Sequence, residues 1–133
     1  MKAVTRRALF VALALFCAPA LAHATDAAKP TVIYLSAEDC TTCREWERAN
    51  RPAFEASAER KKVEWREVRV KTLVHINQKA EWPADLEWLR KQVPESATPR
   101  FYLIRGDRLI AKGDGISGWN ASILPAIKKL GAS

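Results

Sequence analysis

Apolar positions along the chain change period several times, and each change predicts an element. Thr31-Val32-Ile33-Tyr34-Leu35 is a β-branched and aromatic run without polar alternation, which predicts a strand buried on both faces. Cys40 to Ser57 is rich in Arg, Glu and Ala and predicts a helix, with a kink or break near Asn50-Arg51 imposed by Pro52. Val63 to Val70 predicts a second strand, although its apolar residues change face from Val63 and Trp65 to Val68 and Val70. Lys71 to Pro83 has no readable period. Leu86, Leu89 and Val93 then recur at helical spacing across Asp85 to Val93, after a Pro83-Ala84 start. Phe101 to Arg105 and Arg108 to Lys112 predict a third and a fourth strand, joined by a tight hairpin at Gly106-Asp107. Gly113, Gly115 and Gly118 mark a turn region. Asn120 to Leu130 predicts a closing helix with Ile123, Ile127 and Leu130 on one stripe, and Pro125 suits it only in a first turn.

Strand, helix, strand, helix, strand, strand, helix is the order of an α/β domain, βαβ followed by αββα. The βαβ half requires parallel strands and a right-handed crossover. The second half ends in an antiparallel hairpin backed by a helix. The expected product is a four-stranded mixed sheet with helices on both faces.

Composition changes this picture at the N-terminus. Lys2, Arg6 and Arg7 precede the apolar run Ala8 to Leu15, and Ala20-Leu21-Ala22-His23-Ala24 offers small residues for cleavage after Ala22 or Ala24. The run is too short to span a bilayer, so residues 1–24 are expected to be a secretory signal peptide and 25–133 the exported domain, periplasmic in a Gram-negative cell. The remaining length suits one domain, at roughly 100–200 residues per domain. Of 22 Lys+Arg, three leave with the leader, so 19 face 15 Asp+Glu and the net charge falls from +7 to +4. Charges alternate in sign, as in Arg44-Glu45-Trp46-Glu47-Arg48, with no basic stripe for a phosphate backbone. Nucleic acid is therefore not an expected partner.

The leader also removes Cys17, which leaves Cys40 and Cys43 of the run Cys40-Thr41-Thr42-Cys43. In an oxidising compartment the two can bridge only to each other or to another protein. They sit where the first strand feeds the first helix. A thiol there faces free backbone N–H groups and the positive end of the helix dipole, which favour the thiolate. Free cysteine titrates near ~8.5, and such settings lower it. Thiolate is the attacking species in disulfide exchange. Cys40, nearer the helix end and solvent, is the expected nucleophile. Cys43, one turn inside, is the expected resolving thiol.

These residues resemble the thioredoxin fold, particularly the exported thioredoxin-like thiol–disulfide oxidoreductases of bacteria. The resemblance rests on the strand Val32 to Leu35 running into Ala37-Glu38-Asp39-Cys40-Thr41-Thr42-Cys43, on Thr98-Pro99 before the strand Phe101 to Arg105, and on the hairpin and last helix. It implies a cis Thr98-Pro99 bond lying against the disulfide. It also implies that Thr98 and Pro99 bind an extended substrate segment as an added strand. The protein is expected to be a monomer that uses its own cysteines, with no cofactor and no metal. Its implied partners are protein thiols and disulfides, together with a membrane-bound electron donor.

The chain departs from thioredoxins proper in several places. Asp39 replaces their Trp, and Thr-Thr is not one of their usual dipeptides. The acid they bury six positions before the first cysteine falls on Tyr34, leaving Glu38 or a water to accept the resolving proton. The few residues before the first strand imply that their N-terminal strand–helix unit is missing, and Lys71 to Pro83 lengthens the middle connection. Negative charge at Glu38 and Asp39 opposes a Cys40 thiolate and weakens the pair as an oxidant, while Arg44 acts the other way. The balance favours a reductant or isomerase.

Other uses of the pair are less well supplied. Haem attachment needs His after the second cysteine, where Arg44 stands. Zinc needs two further ligands. Two thiolates with His75 could hold Cu(I), so a Cu(I)-binding module or a non-catalytic adaptor is the alternative. Trp46, Trp65, Trp82, Trp88 and Trp119 are expected in core packing. The competing role for Trp82 is partner docking. Arg100 is expected at a solvated strand end, with substrate contact as its alternative.

Overall fold

The computed structural model describes residues 28–93 and 97–131, so the expected leader over 1–24 and the segment before the first strand lie largely outside it. Strand β1 (Thr31–Ala37) is buried from Val32 to Ala37, as an unalternating apolar run requires. Such a strand needs neighbours on both edges. β2 (Glu64–Val70) pairs with it in parallel, Val32 opposite Trp65, and β3 (Arg100–Arg105) pairs antiparallel, Ile33 opposite Tyr102. β4 (Arg108–Asp114) extends the sheet antiparallel to β3, giving the order β2-β1-β3-β4. Gly106, at φ 60°, makes the tight hairpin between them.

Two apolar layers cover the sheet. On one face Ile33, Leu35, Val68, Val70, Tyr102 and Ile104 meet Ile76, Trp82, Leu86, Leu89 and Val93. On the other, Val32, Tyr34, Phe101 and Leu103 meet Trp46, Phe54, Trp119, Ile123 and Ile127. The second layer is largely aromatic. The Trp46 ring lies 4.7 Å from Phe101 and 5.0 Å from both Tyr34 and Trp119, in tilted and edge-on contacts. Such pairs add about 0.5–1.5 kcal/mol each beyond the area they bury. The face change within β2 is real: Val63 and Trp65 belong to the aromatic layer, Val68 and Val70 to the other.

Pro52 and Pro125 act at helix starts. The expected helix from Cys40 to Ser57 divides into α1 (Thr41–Ala49) and α2 (Arg51–Glu55), with Pro52 in the first turn of α2, where its missing N–H is no loss. Ser57 then caps a short α3 (Ala58–Lys61), its Oγ accepting from Arg60 N at 3.3 Å. The closing helix starts earlier than expected. α5 (Gly115–Gly118) passes through a π-helical turn (Trp119–Ile123) into α6 (Leu124–Lys129), which carries Pro125 in its first turn. Leu124 N donates to Trp119 O five residues back, so the wider turn delivers Pro125 where no N–H is needed.

Lys71 to Pro83 proves to be cover for the sheet. It holds 3₁₀ turns at Leu73–His75 and Lys79–Glu81, followed by a third at Ala84–Leu86 that leads into α4 (Glu87–Gln92). Only Ile76 and Trp82 of this connection are buried, and Trp82 Nε1 donates to Ile76 O at 2.7 Å. Trp82 is therefore a core residue, and the partner-docking alternative fails because its ring is covered.

Candidate functional site

The end of β1 presents the cysteine pair. Glu38 N donates to Val70 O at 3.0 Å, tying the outgoing chain to β2, and Cys40 N donates to Ala37 O at 3.1 Å. Cys40 is left extended (φ −86°, ψ 103°) as the N-cap of α1. Its Sγ accepts from Cys43 N at 3.0 Å, occupying one of the N–H groups that a helix start leaves free. Cys40 and Cys43 form a disulfide, with S–S 2.04 Å and Cα atoms 5.2 Å apart.

Exposure does not separate the two sulfurs as expected. Cys40 is 2% and Cys43 1% exposed, because the disulfide packs into the layer with Ile76, Trp82 and Val93. What distinguishes them is position. Cys40 is the cap, outside the helical hydrogen-bond ladder, and Cys43 lies within the first turn.

The third strand brings in the rest of the expected site. The Thr98–Pro99 bond is cis, and Thr98 Oγ1 donates to Cys40 Sγ at 3.3 Å. Pro99 O accepts from Gly115 N at 2.7 Å, which fixes the segment to the start of the last helix. Cys40, Cys43, Thr98 and Pro99 thus come together.

Charged neighbours of the pair are arranged asymmetrically. Asp39 Oδ1 accepts from Leu73 N at 2.9 Å, so the Lys71–Pro83 connection is hooked to the residue before Cys40. Arg44 donates to Glu38 O at 2.8 Å and to Thr41 Oγ1 at 3.2 Å, which holds its guanidinium over the loop that carries the cysteines. Glu38 is exposed at the corner between β1 and α1. Tyr34, at the position of the missing acid, donates to Glu47 Oε1 at 3.0 Å. Burial first, then that hydrogen bond and the Glu47 charge, push its phenol above the ordinary range, so it stays neutral and accepts no proton from Cys43.

His75 is exposed, in the turn Leu73–His75. Among the described residues no three His, Cys, Asp or Glu side chains gather as a metal site would require. One residue departs fully from expectation. Arg100 is 0% exposed rather than solvated, because β3 alternates and places it with Tyr102 and Ile104 toward the core. That alternation is the available signal: Arg100 opens a strand that is apolar from Phe101 to Ile104.

A mixed sheet of this order, with a disulfide at the first helix start and a cis proline before the third strand, is a thioredoxin-like fold. The chain is similar to the reduced periplasmic thioredoxin SoxS of Paracoccus pantotrophus (TM-score 0.55, 17% identity), covering 75% of this chain and 97% of that one. It is similar also to the Malassezia sympodialis thioredoxin Mala s 13 (TM-score 0.52, 16% identity), covering 77% of each. No family model and no curated protein matches the chain.

Proposed function

We propose that this is an exported thiol–disulfide oxidoreductase that acts on protein disulfides, in the direction of reduction or isomerisation. The observation that carries it is the Cys40–Cys43 disulfide at the start of α1 with Thr98 against Cys40 Sγ. In the reduced protein the Cys40 thiolate attacks one sulfur of a substrate disulfide. That S–S bond breaks, the departing substrate thiolate takes a proton from water, and a mixed disulfide forms. Cys43 gives up its proton to water and attacks Cys40 Sγ. The second substrate thiol leaves, and two electrons have passed from the pair to the substrate. A dithiol donor, membrane-bound if the protein is periplasmic, then restores the reduced pair. Export is supported by the leader pattern in residues 1–24.

Negative charge at Glu38 and Asp39 supports the reducing direction. The test is a dithiothreitol redox titration of residues 25–133, with insulin reduction by the protein and by its Cys40→Ser and Cys43→Ser variants. A midpoint on the order of −270 mV is expected, where one on the order of −120 mV would make it an oxidase. Both variants lose turnover, and Cys43→Ser accumulates mixed disulfides that Cys40→Ser does not. A pair still oxidised below about −300 mV, with no turnover, would make the disulfide structural and the protein an adaptor.

A further inference from the structure

Arg100 follows Pro99 directly and is fully buried. Burying a guanidinium is costly unless its donors are used. Here they are used incompletely. Nη1 donates to Tyr102 Oη at 2.9 Å and, at 3.4 Å, to Val93 O just beyond the end of α4. Nε faces Asp114 Oδ1 at 3.5 Å, an ion pair without hydrogen-bond alignment, and Nη2 has no acceptor among the described residues. An apolar side chain of similar volume would fill this place at lower cost. The arginine is better explained by what it joins.

Arg100 and Asp114 are direct partners across the β3–β4 ladder. The residues next to them, Pro99 and Gly115, are joined by the 2.7 Å hydrogen bond from Gly115 N to Pro99 O. Ladder, ion pair and hydrogen bond close a small ring around the Thr98–Pro99 segment. We infer that Arg100 is a positioning residue: its pairing with Asp114 and Val93 O holds Gly115 N–H on Pro99 O and thereby keeps Thr98 against Cys40. The ring stands on geometry alone, and its effect on disulfide exchange rests on the function proposed above.

Two variants test it. Arg100→Lys keeps the charge but lacks the fork, and Asp114→Asn keeps an acceptor but loses the charge. Amide hydrogen exchange at Gly115 reads the ring without reference to catalysis, and is expected to quicken about tenfold in Arg100→Lys while β1 and β2 amides hold. Insulin reduction is expected to fall about tenfold, since small misplacements near reacting atoms are costly, and iodoacetamide attack on reduced Cys40 to slow about threefold as the Thr98 hydroxyl leaves the sulfur. If Arg100→Lys does not fold, Asp114→Asn carries the test with shifts of about threefold in the same directions. Unchanged Gly115 exchange in a folded variant would overturn the ring. Faster Gly115 exchange with full insulin reduction, or with unchanged iodoacetamide attack on Cys40, would overturn the positioning role. A wild-type protein that reduces no disulfide would sink the redox function, and Gly115 exchange would still decide the ring.

Discussion

The hydroxyl of Thr98 donates to the sulfur of Cys40 across 3.3 Å, joining residues 58 positions apart in the chain. In the disulfide this sulfur is a weak acceptor. In the reduced protein the same hydroxyl faces a thiolate, and a hydrogen bond to a charged acceptor is roughly twice as strong as a neutral one. The contact therefore favours the reduced, ionised state over the oxidised one.

Thr98→Val removes the donor and keeps the branched shape. Loss of about 1 kcal/mol of preference for the thiolate is expected. Iodoacetamide attack on reduced Cys40 at pH 7 should slow about three- to tenfold, and the midpoint potential should become more negative by about 10–30 mV. The rate and a redox titration check it. An unaltered rate would mean that Thr98 turns away once the disulfide opens.

Asp39 combines two effects that a pair of substitutions separates. Its carboxylate accepts from Leu73 N at 2.9 Å, and its charge lies next to the nucleophile. Asp39→Asn keeps the acceptor and removes the charge, so the thiolate gains and the midpoint should rise by about 10–20 mV, as suits one exposed charge nearby. Asp39→Ala also frees Leu73 N–H and should cost about 1 kcal/mol in urea unfolding, comparable to losing a side-chain cap. Equal midpoints for wild type and Asp39→Asn would remove the electrostatic argument for a reducing pair.

Close backbone packing holds the last helix to the fourth strand. A Cβ on Gly118 would stand 2.6 Å from Gly113 C, and one on Gly113 would stand 2.5 Å from Gly118 O. Neither neighbour is a side chain that can swing away. Gly118→Ala is therefore expected to cost about 2–3 kcal/mol in denaturant unfolding. Gly115 is the control: its φ of +68° strains any other residue, but nothing lies within 4 Å of its Cβ position. Gly115→Ala should cost only about 1–2 kcal/mol. Comparable losses at the two positions would show that conformation, not contact, governs this corner.

What could be read from the sequence follows the range over which each signal acts. β1 declares itself because a strand covered on both faces reads as a near-continuous apolar run, here Val32 to Leu35. Cys40 as a cap and Pro52 as a helix start are local effects of a few residues. Lys71 to Pro83 was unreadable because 3₁₀ turns have no long period, and its anchoring partners, Asp39 for Leu73 and Arg90 for Asn77 O, lie outside it. The π-helical turn before Pro125 was hidden for the same reason: the proline announces a break but not how the chain accommodates it. Arg100 was misplaced because arginine is normally solvated. Its burial is decided by strand alternation and by Asp114, a partner on the next strand.

Tyr34 gives the protein an alkaline limit. Its hydroxyl donates to Glu47 Oε1, and Glu47 in turn pairs with Arg69. Burial and Glu47 raise the phenol above its unfolded value of about 10, so the folded state holds this proton more tightly than the unfolded state. The resulting stability is fully present below pH ~10 and is lost as pH rises from there through the folded value, at up to about 1.4 kcal/mol per pH unit. Tyr34→Phe has no proton to lose. It should be less stable than wild type by about 1 kcal/mol at pH 8, where the hydrogen bond is missing. The deficit should shrink as pH rises past about 10, because only the wild type carries this slope. Urea unfolding of both proteins at pH 8, 10 and 11 makes the comparison, and titration of other groups cancels between them. If the two decline in parallel, the proton held at Tyr34 is not what limits the fold in alkali, and the Glu47 hydrogen bond counts only as packing.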